Sequence, residues 1–202
     1  NDRVDPVVVA AAIDRLRPAV VIGQFEIPQA ATAAGFVAGR RHGAITILNP
    51  APGATIDPDL LRVTDWLIPN ETEFGIIGGR PLSGTDTDGS LSDADEDAIA
   101  SVGRELGASL VVTLGARGVA LRTAGAASVR LDAPAVEAVD TSGAGDAFVG
   151  AFAVGLALGW SAEAAARLGC AAASASVTRP GTQASYPDRR AAAALLATLD
   201  RR

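Results

Sequence analysis

The sequence has no lysine, one histidine (His42) and one cysteine (Cys170). A lone cysteine excludes a disulfide within the chain, and with a lone histidine it cannot make a zinc site. Arginine carries all the fixed basic charge, which reads as a GC-rich codon bias rather than as chemistry. The net charge is -6 and the pI about 4.8, with no basic patch, so nucleic acid is not an expected partner. No run of eighteen uncharged apolar residues and no secretion signal is present, so a soluble, cytoplasmic chain without a membrane partner is expected. The chain opens without methionine, on Asn1-Asp2-Arg3-Val4-Asp5-Pro6, and moves straight into helical spacing. That predicts a chain cut from something longer, or one given without its beginning.

What is present is ordinary for a globular protein. The 202 residues are 49% hydrophobic, enough for one domain over 1–202 with a buried core. Apolar runs and helical spacings alternate. Val7 to Leu16 predicts a helix after the start signal Asp5-Pro6, and Pro18 stops it. Residues 19–23 and 44–48 predict strands buried on both faces, separated by a helix over 28–41. Strands follow at 66–68 and 110–114, a helix at 97–106, and an antiparallel pair at 119–122 and 128–131. The last third is helical, over 145–158, 162–177 and 189–199. This alternation predicts parallel βαβ units. The stretch from Leu82 to Asp95 predicts an exposed loop; its Asp86, Asp88, Asp93 and Asp95 lack the spacing and closing glutamate of a calcium loop.

In open α/β sheets, ligands gather beyond the carboxyl ends of strands. Three such ends stand out: Gln24-Phe25-Glu26, Asn49-Pro50 and Pro69-Asn70-Glu71. Asn70 and Glu73 have the spacing of a capping box. The sharpest signal is Asp140-Thr141-Ser142-Gly143-Ala144-Gly145-Asp146-Ala147-Phe148. Small residues and glycines lead into an apolar helix, whose N–H groups and dipole favour an anion. Asp146 would repel phosphate, so its place there suits a base that takes a proton from an attacking hydroxyl. A plain helix cap would use the same residues. The segment is neither a Walker motif nor a dinucleotide fingerprint.

The segment 139–151 resembles the C-terminal signature of the ribokinase-like (carbohydrate kinase) family. Four others resemble the family in the same order: Asn49-Pro50-Ala51-Pro52, Pro69-Asn70-Glu71-Thr72-Glu73, residues 112–118 and residues 177–187. Within the family the likeness is greatest to the ribokinases, through Gln24-Phe25-Glu26-Ile27-Pro28 and Asn49-Pro50-Ala51-Pro52.

The resemblance implies an α/β three-layer sandwich with a mostly parallel central sheet flanked by helices. It implies ATP-dependent phosphorylation of a hydroxymethyl group on a small sugar, D-ribose before others, giving D-ribose 5-phosphate. Asp146 would be the base and Gly143, Ala144 and Gly145 the anion hole. Asn70 and Glu73 would place magnesium and the phosphates through water. Thr113, Gly115 and Gly118 would form the nucleotide turn, although an ordinary β-turn has the same composition. Glu26 would contact the sugar, or be merely solvated. Asp140, Ser142, Ser176, Arg179, Gly181 and Ser185 would hold potassium, several through carbonyls. Cys170 stands where the family often carries a polar residue near the adenine, and core packing is its expected role.

The resemblance begins about a third of the way into the family pattern. The opening strands, the Gly-Gly sugar motif and the β lid are not matched. The 202 residues alone are therefore expected to be poorly stable or nearly inactive. The family often dimerises through the lid, so a homodimer is expected of the full-length protein only. Alternatives are a kinase of another sugar, a nucleoside or a phosphosugar, and a non-catalytic nucleotide-binding fragment.

Overall fold

The first helix, α1 (Pro6–Leu16), starts where the Asp5 carboxylate accepts the Val7 N–H at 2.8 Å, with proline in its first turn. It ends at Arg17, whose φ of 46° is left-handed, just before Pro18. In the computed structural model, which describes residues 1–82 and 92–199, the chain then alternates strand and helix. These are β1 (Val20–Gly23), α2 (Gln29–Arg41), β2 (Ile45–Leu48), α3 (Pro58–Leu61), β3 (Trp66–Leu67), α4 (Glu71–Gly78), α5 (Asp93–Leu106) and β4 (Ser109–Thr113). A 3-10 turn, Gly115–Arg117, leads to β5 (Val119–Arg122) and β6 (Val129–Leu131). The helices α6 (Ala144–Ala157), α7 (Ala162–Ser176) and α8 (Arg189–Thr198) follow.

The described residues group into two compact units. The first, Asn1–Val112 with Arg122–Ser128, holds the parallel strands β1, β2, β3 and β4, in register Val20 to Ile45, Ile47 to Trp66 and Trp66 to Ser109. Its core includes Phe36, Ile47, Leu48, Leu60, Leu67, Phe74, Ile99 and Leu110. The second, Thr113–Leu121 with Val129–Arg202, holds the antiparallel pair β5–β6, in register Val119 to Leu131, and the last three helices. Its α6 and α7 lie close enough that a β-carbon on Gly155 would stand 2.8 Å from the Ala165 Cα. Phe148 and Phe152 stack at 6.0 Å within that contact, and Trp160, Ala164 and Leu168 pack against Leu195 and Leu196 of α8. The fold is α/β with mostly parallel strands, as the alternating pattern predicts. Among the described residues no helix is long and apolar enough to cross a membrane.

Two local expectations are corrected. β1 is not buried on both faces: Ile22 is 44% exposed, because among the described residues of its unit β1 pairs with β2 alone. The fifth helix starts at Asp93 rather than Asp97, because Ser92 accepts the Asp95 N–H and caps it. Asp93 and Asp95 are thus first-turn acids favoured by the helix dipole, not loop residues. Asp86 and Asp88 lie outside the described residues.

Candidate active site

In the first unit, Asn49 joins three strand ends. Its Oδ1 accepts from Gln24 Nε2 at 2.7 Å, after β1, and its Nδ2 donates to the Ile68 carbonyl at 2.8 Å, after β3. The Phe25 N–H also donates to the Ala51 carbonyl at 2.8 Å. This network fixes the turn that carries Glu26, whose side chain is exposed.

Asn70 and Glu73 form a reciprocal capping box. Asn70 Oδ1 accepts the Glu73 N–H at 2.9 Å, and Glu73 Oε2 accepts the Asn70 N–H at 2.8 Å. Glu73 is buried, Asn70 exposed. Each side chain spends one oxygen on the cap, which leaves the other Glu73 oxygen for a further partner. Among the described residues no group of three or more His, Cys, Asp or Glu could hold a metal. Such a donor set fits magnesium held through its water and through phosphate oxygens.

In the second unit, Gly143 caps α6 with φ of 78°, and no side chain caps this helix. Its first turn therefore offers N–H groups and the positive end of the dipole to an anion. Gly145 is exposed, with no atom within 4 Å of where its β-carbon would be. Asp146 stands exposed in the same first turn. The N–H groups suit an anion, whereas the Asp146 carboxylate beside them suits a proton acceptor.

Several of the residues expected to hold potassium are tied together by hydrogen bonds around the turn before α6. Asp140 Oδ1 accepts the Ser142 N–H at 2.9 Å, and its Oδ2 accepts the Gly181 N–H at 2.8 Å. These bonds, that from Ser142 foremost, hold its carboxyl below the usual carboxylate range. The Asp140 N–H donates to the Val177 carbonyl, and Arg179 Nη2 donates to the Ser185 carbonyl at 3.0 Å. Ser176 and Ser185 are buried, their hydroxyls turned to the Ala173 and Thr182 carbonyls. A hydroxyl that donates to a carbonyl keeps its lone pairs, so these serines have hydroxyl and backbone oxygens to offer a hard cation, and Arg179 a backbone carbonyl.

Thr113 ends β4, and the turn after it puts Gly115 at φ 60° in open space. Gly118 is different. It is buried, and a β-carbon there would lie 2.0 Å from the Leu131 carbonyl, so close backbone approach already explains this glycine. Cys170 is buried in α7, where burial pushes its thiol up to about 11, as core packing predicts. Two relationships cannot be read from local sequence: the bonds of Asn49 to Gln24 and Ile68, and the approach of Tyr186 to Gly143.

An α/β fold with an uncapped, glycine-led helix N-terminus and a carboxylate in its first turn is equipped to handle anions. The comparison with known proteins is more particular. A family model described as pfkB family carbohydrate kinase matches residues 8–189, and the chain belongs to that family. The ribokinase of Schizosaccharomyces pombe is 30% identical over 188 residues, which are 93% of this chain and 58% of that protein. The deoxyribokinase of Salmonella typhi is 36% identical over 178 residues, 88% of this chain and 56% of that one. Among solved structures, Arabidopsis thaliana ribokinase complexed with ribose and ATP matches with a TM-score of 0.80 at 33% identity, over 92% of this chain and 58% of that one. The chain thus spans less than two thirds of the length of these relatives.

Proposed function

We propose that this chain carries the phosphoryl-transfer machinery of an ATP-dependent sugar kinase whose acceptor is D-ribose and whose product is D-ribose 5-phosphate. The observation that carries this reading is the α6 N-terminus: Gly143 as an uncapped left-handed start, with Asp146 in the first turn. The sugar hydroxymethyl group gives its proton to Asp146 as its oxygen bonds to the γ-phosphorus. The bond from that phosphorus to the ADP oxygen breaks, and ADP leaves with its electron pair. The N–H groups of Gly143, Ala144 and Gly145 and the helix dipole stabilise the charge of the group in transfer.

Thr113, Gly115, Gly118 and Asn70 are assigned to the nucleotide, and Glu26 to a sugar hydroxyl. Magnesium, when bound, neutralises phosphate charge; Asn70 and Glu73 would hold it through its water. The Asp140 carboxylate, with carbonyls of Ser142, Ser176, Arg179, Gly181 and Ser185, would hold a monovalent cation.

A second acceptor, 2-deoxy-D-ribose, is favoured by one observation, the 36% identity to the Salmonella typhi deoxyribokinase. The test is ATP consumption by the full-length gene product with each sugar, beside an Asp146→Asn variant. Ribose-dependent turnover that falls about a thousandfold in the variant is expected. Turnover with deoxyribose alone would change the substrate and keep the mechanism. Tight ATP binding without turnover on any sugar would sink the kinase reading.

A further inference from the structure

Tyr186 follows the 3-10 turn Gln183–Ser185, and its half-buried side chain runs to the start of α6. A β-carbon on Gly143 would stand 2.7 Å from the Tyr186 Oη and 3.2 Å from its Cε1. The phenol therefore lies against the residue that opens the anion hole. Tyr186 and Asp146 also line one cavity of about 310 Å³, whose other walls include Ala147, Val154 and Leu195. The phenol thus touches both the first residue of the turn and the wall of a space whose lining is otherwise mostly apolar.

Packing alone does not require this hydroxyl, because phenylalanine would fill the same volume. A half-buried O–H is costly unless an acceptor or water meets it. Among the described residues no hydrogen bond occupies it, and Asp146 reaches it as a charge. Burial first, and then the Asp146 charge, push the phenol above its ordinary range. It keeps its proton at neutral pH and can only help an anion by donating.

We propose that Tyr186 is a further catalytic residue, whose O–H donates a hydrogen bond to a non-bridging oxygen of the phosphoryl group held at the α6 N-terminus. No bond at the tyrosine is made or broken. The proposal rests on the sugar-kinase reading for its reaction, and on the observed approach of the phenol to Gly143 for its geometry.

The test is Tyr186→Phe, which keeps the ring. Inorganic phosphate is titrated into the wild-type and variant full-length gene products, with thermal midpoints measured alongside. Phosphate affinity about tenfold weaker in the variant, at an unchanged midpoint, is expected. Equal affinities overturn the proposal. In steady-state kinetics the expected loss is roughly a hundredfold in kcat, with KM for the sugar little changed. A rise in KM at constant kcat would mean that the hydroxyl serves sugar binding, and would also overturn it. A wild-type protein that turns over no sugar, yet loses phosphate affinity on substitution, would discard the kinase reading and keep the tyrosine's.

Discussion

The carboxylate of Asp140 accepts the backbone N–H of Gly181 at 2.8 Å across 41 positions of sequence, and so ties the turn before α6 to the loop after α7. The same side chain holds the Ser142 N–H with its other oxygen. Asparagine can keep one of these bonds but turns its NH2 toward the other donor. Asp140→Asn is therefore expected to loosen the loop and to raise the potassium concentration for half-maximal activity about tenfold. Activity of the full-length protein measured against potassium, with a large organic cation as control, checks this. An unchanged potassium dependence would remove Asp140 from the proposed cation site.

Gly143 and Gly145 are two residues apart and should respond oppositely. At Gly143, alanine meets both a left-handed φ and the Tyr186 hydroxyl, and should cost about 1–3 kcal/mol in denaturant unfolding. At Gly145, alanine meets open space inside a helix and should gain up to about 1 kcal/mol. Its methyl would still obstruct the proposed anion hole, so kcat should fall while stability holds. The reverse order of stabilities would show that the turn is misread.

Asn70 and Glu73 serve a cap and, by proposal, a metal, and two substitutions separate the roles. Asn70→Ala removes the acceptor for the Glu73 N–H and should cost about 1 kcal/mol. Glu73→Gln keeps an oxygen for the Asn70 N–H, so its thermal midpoint should stay near wild type. Its magnesium requirement should rise about tenfold. A magnesium titration that matches wild type would leave Glu73 as a cap alone.

Asp14 on α1 accepts from Arg41 Nη2 at 2.8 and 3.0 Å and meets His42 Nε2 at 2.9 Å, at the end of α2. The Arg41 bonds first, then His42, hold its carboxyl below the ordinary 3.8. A depressed folded pKa means stability that is present above the unfolded value and lost as pH falls through the folded one. Asp14→Asn should lower the thermal midpoint at neutral pH, and the gap should close in acid below the ordinary carboxylate range. A gap that stays constant with pH would show that the pair contributes nothing through its charge.

How much of this is legible in sequence depends on how local each cause is. The Asn70–Glu73 box spans three residues and can be read directly; so can the proline-led start of α1 and, to within a residue, the helix α6, expected from 145 and starting at Ala144. The start of α5 is misread because Asp93 and Asp95 look like loop residues unless Ser92 is recognised as their cap. The exposure of Ile22 depends on which strands pair with β1, which no apolar run encodes. The Asp140–Gly181 bond, the Asn49 bridge and the approach of Tyr186 to Gly143 join distant segments, and only folding brings them together. The one signal for Tyr186 is its setting, a lone tyrosine in a small, polar loop before Pro187.

The burial of Cys170 has a practical use. With its thiol protonated to about 11 and sealed within α7, it is shielded from alkylating reagents while the helix is packed. The chain has no other sulfhydryl to compete. The rate at which this single group is modified is therefore a clock for the opening of α7, and bound phosphate or nucleotide that steadies the second unit would slow it.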